Sequence, residues 1–228
     1  MTARARTAGV VVAIDGPSGS GKSSTSRGVA RRLRLRYLDT GAMYRAMTWW
    51  MLRHDVSVDD PAAVAERCGE PAIATGTDPD HPTITVDGTD VAAAIRTPEV
   101  NAAVSPVSSV PQVRARLLEL QHDAIAGALD TGGIVVEGRD IGSVVAPDAD
   151  VKVYLTADSS ARAARRAAEE GGSDLAATES SLLARDRIDS SRTASPLVMA
   201  EGAVHIDSTP YTLEEVVDLI VGLVEAAR

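Results

Sequence analysis

A glycine-rich loop near the N-terminus carries the residues best suited to chemistry. Residues 16–23 read Gly-Pro-Ser-Gly-Ser-Gly-Lys-Ser, the Gly-x4-Gly-Lys-Ser spacing of a phosphate-binding loop. Its glycines let the backbone curl so that N–H groups point at an anion, and the helix predicted to follow adds its positive end. Lys22 would neutralise the β- and γ-phosphates of a nucleoside triphosphate, and the Ser23 hydroxyl would ligate Mg²⁺. The predicted triphosphate-binding set is Gly16, Pro17, Ser18, Gly19, Ser20, Gly21, Lys22, Ser23 and Ser24.

The alternative is a glycine-rich turn that contains a lysine by chance. Composition argues against it, because Lys22 and Lys152 are the only lysines, whereas arginine supplies all other positive side chains. A buried-type strand before the loop and a helical pattern after it also match what phosphate binding needs. The phosphate-binding interpretation is therefore strongly favoured.

Two carboxylates are candidates for the metal side of such a site. Asp15 ends the apolar run before the loop, and Glu137 ends the run Ile-Val-Val at 134–136. A carboxylate at the end of a neighbouring strand can hold Mg²⁺ directly or through water, although either acid could simply cap its strand. The residues do not decide between the two, and we predict Ser23 and Asp15 as the metal-side pair.

Strand and helix patterns alternate along the chain and must position these groups. β-Branched runs at 10–14, 134–136, 151–155 and 203–206 predict strands buried on both faces of a parallel sheet. Helices are predicted over 22–36 and 111–129, and after a capping box formed by Thr212 and Glu215. This alternation predicts a doubly wound α/β fold, a parallel sheet flanked by helices. Together with the glycine-rich loop it indicates the P-loop NTPase fold.

Two segments interrupt the alternation. Residues 69–97 are rich in Gly and Pro, with β-like pieces at 72–75 and 83–86 and an Asp-Gly turn signal at 87–88. Residues 158–174 hold a charged, alanine-rich helix followed by Glu-Glu-Gly-Gly. We predict a core made of 1–68, 98–157 and 175–228, with a small β-rich insertion at 69–97 and a second, short insertion at 158–174.

Composition limits the possible functions. A net charge of −9 and a pI near 4.9 argue against broad nucleic-acid binding. Cys68 is the only cysteine, so neither an internal disulfide nor a multi-thiolate zinc site is expected, and the four histidines show no metal-ligand spacing. No signal peptide and no apolar stretch of about 20 residues is evident. We predict a cytoplasmic protein without nucleic-acid or membrane partners, and a monomer.

The placement of arginines indicates the second ligand. The guanine-specific motif Asn-Lys-x-Asp cannot occur, since Asn101 is the only asparagine, and the transporter signature Leu-Ser-Gly-Gly is absent. Arg45, Arg139, and the arginines of 162–166 and 185–192 could bind phosphate oxygens in pairs, although most could equally be surface ion pairs. Arg139 stands out, because it follows a buried strand and so reaches the ligand crevice of an open α/β sheet. A kinase for a small phosphorylated acceptor is favoured.

Several separated blocks of the chain together resemble the bacterial cytidylate kinases, which transfer a phosphoryl group from ATP to CMP or dCMP. They are Ile-Asp-Gly-Pro-Ser-Gly-Ser-Gly-Lys-Ser from residue 14, Asp-Thr-Gly-Ala-Met-Tyr-Arg from 39, Ile-Arg-Thr-Pro-Glu-Val from 95, Gly-Arg-Asp-Ile-Gly from 138, and Arg-Asp-x2-Asp-x2-Arg from 185. The loop alone could belong to other kinases, but the last two blocks together are far more specific. The resemblance extends from Ile14 to about Thr209.

The resemblance implies a role for each matching residue. Thr40, Arg45, Arg139 and Arg192 would hold the CMP phosphate; Ser105, Arg114 and Asp140 would read the cytosine edge; Tyr44, Arg185 and Asp189 would border the ribose. Lys22, Arg139, Arg162 and Arg166 would be catalytic, with Arg162 and Arg166 closing on ATP as a short lid, and 69–97 would be the nucleoside-monophosphate-binding domain. Thr40 stands where serine is common and Glu137 where aspartate is frequent, and neither change removes the functional group.

The chemistry of cytosine agrees with this assignment. An Asp carboxylate accepts from the exocyclic amine and an Arg donates to the ring acceptors, whereas uracil would turn a carbonyl toward Asp140. We therefore predict at least about a tenfold preference for CMP over UMP in kcat/KM. The alternatives are a kinase for another nucleoside monophosphate and a non-catalytic ATP-binding regulator.

Overall fold

A computed structural model describes residues 9–169, 172, 174–191 and 197–228. In chain order its strands are β1 (Val10–Asp15), β2 (Arg36–Asp39), β3 (Ile73–Thr75), β4 (Ile84–Val86), β5 (Thr89–Asp90), β6 (Gly133–Gly138), β7 (Val151–Thr156) and β8 (Val204–Asp207). Its α-helices are α1 (Lys22–Leu33), α2 (Thr40–Arg53), α3 (Pro61–Arg67), α4 (Pro98–Ser109), α5 (Pro111–Leu129), α6 (Ser159–Glu169), α7 (Leu175–Ser191) and α8 (Leu213–Ala227).

The central sheet has five strands in the order β2-β6-β1-β7-β8, and every neighbouring pair is parallel. The strands predicted at 10–14, 134–136, 151–155 and 203–206 are confirmed as β1, β6, β7 and β8. Because β1 lies in the middle, its carboxyl end faces the ends of β6 and β7, with Asp15 in register with Gly138 and Tyr154. Ligands of open α/β sheets bind outside such strand ends.

Helices cover both faces of the sheet. Val12 and Ile14 of β1 pack toward α1 and α8, in a cluster that includes Val29 and Ile220. Ala13 belongs to the second cluster, which is built mainly from α2, α4 and α5. The two faces of one strand are thus buried under different helices, which is why β1 reads as a continuous apolar run. The α/β prediction is confirmed.

One predicted boundary is wrong. The helix predicted to reach Arg36 ends at Leu33, and residues 36–39 form β2 instead. Arg34 turns the chain at φ 56°, and its N–H donates to the carbonyls of Ala30 and Arg31. Glycine usually occupies this left-handed position, so an arginine there gave no sign of a helix end. Pairing of β2 with β6 and burial of Tyr37 and Leu38 decide the local structure.

Residues 73–90 form a second, three-stranded antiparallel sheet in the order β3-β4-β5. The predicted Asp87-Gly88 turn is confirmed: both residues have positive φ, 51° and 79°, which matches a type I′ hairpin. The loop between β3 and β4 touches the core, since Tyr37 N–H donates to the Thr77 carbonyl at 2.9 Å and Arg27 Nε to the Pro79 carbonyl at 2.9 Å. This loop therefore ties the small sheet to α1 and β2, and the strands β3 and β4 pack against α2.

Helices α2, α3, α4 and α7 and a short π-helix, Ile141–Val145, were not predicted. The alanine-rich segment forms α6 as expected, and it packs against α7. Among the described residues no helix is both long and apolar enough to cross a bilayer.

Candidate active site

The phosphate loop joins β1 to α1, and its geometry follows from its glycines. Gly21 has φ +87° and precedes Lys22, the first residue of α1. A Cβ on Gly16 would lie 2.0 Å from the Leu155 carbonyl oxygen, so only glycine lets the loop leave β1 beside β7. The loop therefore presents its backbone N–H groups at a helix N-terminus, as an anion site requires.

Lys22 is a buried cation at this loop. Its side chain is 8% exposed, and Nζ donates to the Pro17 carbonyl at 2.7 Å. Burial, followed by the nearby charge of Arg139, lowers the pKa of Lys22 below its usual value. An anion brought to the loop would counter both effects and hold the lysine in its charged form.

The end of β6 carries a carboxylate that contacts the loop directly. Glu137 is buried, and its two oxygens accept hydrogen bonds from different hydroxyls: Ser23 Oγ at 3.0 Å and Tyr37 Oη. Burial, and then the charge of Asp39, raise the pKa of Glu137. Tyr37 was not predicted as a site residue, because only the pairing of β2 with β6 brings its hydroxyl to Glu137.

Asp15, the other candidate metal ligand, is engaged elsewhere. Its Oδ1 accepts from Ile141 N–H and its Oδ2 from Gly142 N–H, both at 2.8 Å. Burial raises the pKa of this carboxyl to about 6. Of the two acids that the sequence left open, Glu137 is the one in contact with Ser23.

A hydroxyl beside a carboxylate suits Mg²⁺, a hard cation that prefers oxygen ligands. The described residues contain no cluster of three or more His, Cys, Asp or Glu side chains able to hold a metal by themselves. This donor set fits a cation that keeps waters and substrate phosphates as most of its ligands.

Arg139 and Asp140 directly follow β6, and their side chains contact different parts of the molecule. Arg139 donates from Nη1 to the Gly16 carbonyl and from Nε to Asp189, both at 2.8 Å. Asp140 pairs with Arg114 of α5, and both side chains are nearly buried. One turn thus ties the phosphate loop to α7 on one side and to α5 on the other.

The start of α2 contributes a hydroxyl and a second arginine. Thr40 Oγ1 donates to the Glu137 carbonyl at 2.7 Å, and Arg45 Nη2 donates to Asp39 at 3.2 Å. The Nε atoms of Arg45 and Arg185 are buried and have no hydrogen-bond partner within the described residues. Burial, and then the charge of Arg139, lower the pKa of Arg185 to about 10. Buried guanidinium groups with unused donors favour an anionic ligand.

These groups surround one cleft of about 590 Å³, within the size range of small-molecule sites. The predicted residues that line it are Ser18, Gly19, Gly21, Lys22, Ser23, Ser24, Thr40, Tyr44, Arg45, Arg114, Arg139, Asp140, Arg166, Arg185 and Asp189. Gly16, Pro17, Ser20, Ser105 and Arg162 are not part of the lining. Arg192 lies outside the described residues. Ser108 and Arg96 line the cleft although neither was predicted.

An ion pair joins the helices α6 and α7, and hydrogen bonds hold both of them to the loop. Arg162 Nη1 donates to the Ser18 carbonyl at 3.1 Å and also pairs with Asp186, whose other oxygen accepts from Ser18 N–H at 3.3 Å. Arg165 donates to the Ser208 carbonyl at 3.0 Å. The role of Asp186 and the Ser208 partner of Arg165 were not predicted, because a charged helix face gives no sequence signal of its partners.

Comparisons with known proteins agree with this geometry. The family model described as cytidylate kinase matches residues 12–226. A cytidylate kinase of Streptomyces avermitilis is 57% identical over 219 residues, covering 96% of this chain and 94% of the relative. Those of Nocardia farcinica and Mycobacterium leprae are 52% and 46% identical, covering 92% and 95% of this chain and 90% and 96% of the relatives.

A solved structure of an uncharacterized protein from Eubacterium ventriosum superposes with a TM-score of 0.54 at 11% identity. It covers 95% of this chain and 98% of its own chain, and at this identity the likeness concerns the fold alone. The family match and the three relatives extend over nearly all of the sequence. This chain therefore belongs to the cytidylate kinase family.

Proposed function

We propose that the chain transfers the γ-phosphoryl group of ATP to CMP or dCMP, giving ADP and CDP or dCDP. The observation that carries this proposal is the buried Arg114–Asp140 pair, which faces the same cleft as the phosphate loop. The cleft therefore has a site for a triphosphate at one end and a charged hydrogen-bonding pair at the other. Membership of the cytidylate kinase family supports the same reaction.

On the donor side, the backbone N–H groups of residues 19 and 21–23 would bind the β- and γ-phosphates, with Lys22 beside them. Those of Ser18 and Ser20 already donate to Asp186 and to the Pro17 carbonyl. Arg166 lines the same cleft from α6 and would neutralise charge that develops during transfer. Arg162 is buried against Ser18 and Asp186, so it would act by holding α6 to the loop. This differs from the direct contact with ATP that the resemblance implies.

On the acceptor side, Arg45 and Arg139 would bind the monophosphate together with Thr40 and Arg192, which is the predicted set. We add Arg185, which the resemblance assigned to the ribose. The unused Nε donors of Arg45 and Arg185 support this assignment. Three guanidinium groups would also offset repulsion between two anionic substrates, which is the main obstacle to bringing them into line.

Asp140 and Arg114 would read the cytosine ring. The Asp140 carboxylate accepts from the exocyclic amine, and the Arg114 guanidinium donates to a ring acceptor. Arg114 also lies 5.5 Å from the centre of the Tyr44 ring, which would limit its movement. Ser105 lies behind the cleft lining, whereas Ser108 lines it, so we assign the neighbouring hydroxyl contact to Ser108.

Mg²⁺ would be held by Ser23 and, directly or through water, by Glu137. When bound, it would draw charge from the β- and γ-phosphates of ATP. Asp15 is assigned to another role, because both of its oxygens already accept backbone N–H groups.

The reaction needs no general base. An ionised oxygen of the acceptor phosphate forms the new bond to the γ-phosphorus, and the bond to the β–γ bridging oxygen breaks as ADP leaves. The protein would contribute alignment, charge neutralisation and exclusion of water. The segments 69–97 and 158–174 would close over the substrates, and we retain the monomeric state and the cytoplasmic location as predictions.

The test is ADP release from ATP in the presence of CMP, dCMP, UMP, AMP or GMP, each added separately, with no acceptor as the blank. We expect rapid release with CMP and dCMP and at least about a tenfold lower kcat/KM with UMP. A higher kcat/KM with AMP or GMP would establish a kinase for another nucleotide. No release with any acceptor would leave the ATP-binding regulator as the remaining function.

A further inference from the structure

Asp15 lies between the phosphate loop and the turn that follows Asp140, and it does not line the cleft. It is the last residue of β1, it directly precedes the phosphate loop, and it is only 3% exposed. Burying a carboxylate is costly unless its charge is matched by donors. The donors here are two backbone N–H groups of the segment that follows Asp140.

Those two N–H groups begin the π-helix Ile141–Val145. The first N–H groups of any helix lack partners within the helix, and an Asp at the N-cap position normally supplies one. Asp140 occupies that position, yet its side chain makes no capping hydrogen bond. Asp15 supplies both acceptors from another strand.

The consequence for Asp140 is that its side chain is released for other contacts. Its carbonyl accepts from Val144 N–H at 2.9 Å and Val145 N–H at 3.2 Å, so its backbone is held within the turn. Its carboxylate pairs with Arg114 across the cleft. A carboxylate that capped its own helix would be directed back along the chain, away from Arg114.

We propose that Asp15 is a positioning residue for the acceptor base, because it caps the turn after Asp140 and so keeps the Asp140 carboxylate directed at Arg114 and the acceptor. This inference rests on the proposed function of Asp140. It separates the two strand-end acids by role: Glu137 serves the donor side through Ser23, whereas Asp15 serves the acceptor side.

The first experiment compares Asp15→Asn with the wild type in steady-state kinetics, varying ATP, Mg²⁺, CMP and UMP separately. Asparagine keeps one acceptor oxygen but turns an NH₂ group toward one of the two N–H donors, so one bond is lost and two donors face each other. We expect kcat/KM for CMP to fall by about 10-fold or more through KM, and the CMP-to-UMP preference to narrow. KM for ATP and the Mg²⁺ concentration for half-maximal rate should stay within about twofold of the wild type.

CMP binding measured by calorimetry without ATP or Mg²⁺ provides a readout independent of turnover. A loss of CMP affinity in Asp15→Asn with unchanged ATP affinity supports the proposal. A shift in the Mg²⁺ requirement with unchanged CMP affinity overturns it and returns Asp15 to the metal. A fall in kcat alone, with unchanged affinity for CMP and for ATP, also overturns it.

Asp150→Asn is the matched control. Asp150 Oδ2 accepts a hydrogen bond of 2.9 Å from Val11 N–H, so it too is a carboxylate that holds backbone of the central sheet, at the opposite end of β1. We expect this variant to keep the wild-type CMP-to-UMP preference. An equal narrowing of the preference in both variants would point to a general loosening of β1 and would overturn the proposal.

A double mutant tests whether Asp15 acts through Asp140. The effect of Asp15→Asn on CMP affinity should largely disappear in an Asp140→Asn background, whereas independent effects would multiply. If Asp15→Asn does not fold, Asp15→Glu keeps two acceptor oxygens and carries the same test. Failure of the wild type to bind CMP would reject the proposed function itself, whereas normal CMP binding by the Asp15 variants rejects only this inference.

Discussion

The proposed donor and acceptor ends of the cleft are built in different ways. The phosphate loop is one contiguous segment between β1 and α1, and its shape depends on its own glycines. The acceptor end draws on α2, α5, β6 and α7, with residues as distant in sequence as Thr40 and Asp189. A local motif can therefore bind triphosphate in many proteins, whereas acceptor recognition depends on the assembly of this particular fold.

The two ends also differ in how positive charge is held. Lys22 donates to the Pro17 carbonyl of its own loop. Two of the acceptor arginines instead form ion pairs with acids, Arg114 with Asp140 and Arg139 with Asp189. Breaking a buried ion pair leaves an uncompensated charge. A single substitution at the acceptor end should therefore also disturb the residues around the contact that it removes. Changes at the donor end should remain local.

The largest expected effect is at the donor end. Lys22→Ala should lower kcat by about 10²–10³-fold, because a buried cation beside the transferring phosphoryl group is lost. CMP affinity, measured by calorimetry, should stay close to wild type. Lys152→Ala is the control, since Lys152, the only other lysine, donates to the Glu201 carbonyl at 3.3 Å at an exposed contact. Wild-type turnover by Lys22→Ala would contradict the role assigned to the loop.

The next largest effect should come from breaking the acceptor pair. Asp140→Ala leaves Arg114 without its carboxylate and removes the group that accepts from the cytosine amine. We expect kcat/KM for CMP to fall by about 10–100-fold while that for UMP changes much less. Measuring both acceptors at fixed ATP tests this, and equal losses for CMP and UMP would contradict base reading by Asp140.

A smaller effect should distinguish the role of Glu137 from that of Asp15. Glu137→Gln should raise the Mg²⁺ concentration for half-maximal rate by about 10-fold, because Ser23 loses its charged partner. Tyr37→Phe removes one hydrogen bond to the same carboxylate and should produce a shift of the same sign but of only a few-fold. CMP affinity without metal should be unchanged in both. A change in CMP affinity with an unchanged Mg²⁺ requirement would reverse the division between donor and acceptor sides.

The pH dependence of acceptor binding provides a second test of Asp15. Its pKa is raised to about 6, chiefly by burial, with Asp140 raising it and Lys22 lowering it among the charges that face it. Protonation below pH 6 removes an acceptor from the turn, so KM for CMP should be about fourfold higher near pH 5.5, where about a quarter of the carboxyl is ionised. The acceptor phosphate also titrates near pH 6. The diagnostic is therefore the ratio of wild-type to Asp15→Asn KM, which should rise as pH falls, and a flat ratio would contradict the role of Asp15.

Protonation of Asp15 at low pH should weaken CMP binding, but the raised pKa of Asp15 means that it stabilises the folded state. The folded state binds this proton more tightly than the unfolded chain, whose carboxyl has a pKa near 3.8. The stabilisation from Asp15 is therefore complete below pH 3.8 and is lost as pH rises through about 6. Buried carboxylates that serve a site commonly carry such a cost.

The smallest effect lies outside both ends of the cleft. Thr212 caps α8 in a reciprocal capping box with Glu215. Thr212→Ala should lower the free energy of unfolding by about 1 kcal/mol, measured by urea denaturation, and leave kcat/KM for both substrates unchanged. A loss of acceptor discrimination here would show that specificity follows overall stability rather than the contacts of the cleft.

The features that could be predicted from sequence are those whose cause is local. The parallel strands, the helix over 111–129, the Asp-Gly turn, the capping box and the phosphate loop each depend on neighbouring residues and their periodicity. The end of α1 at Leu33 and the strand β2 could not be predicted, because Arg34 in a left-handed conformation replaces the usual glycine. The local structure there depends on pairing of β2 with β6 and on burial of Tyr37 and Leu38.

Sequence alone therefore determined the fold class, the glycine-rich loop between β1 and α1, and the family, since these follow from spacing within short segments. The tertiary structure decided the hydrogen-bond partners of the two acids, Asp15 and Glu137. Asp15 and Glu137 look alike in sequence, as a carboxylate after a buried strand, but β1 directs Asp15 at the turn after Asp140, whereas β6 directs Glu137 at Ser23 and Tyr37. A side chain's partner depends on strand order and register, and these arise from contacts between residues far apart in the chain.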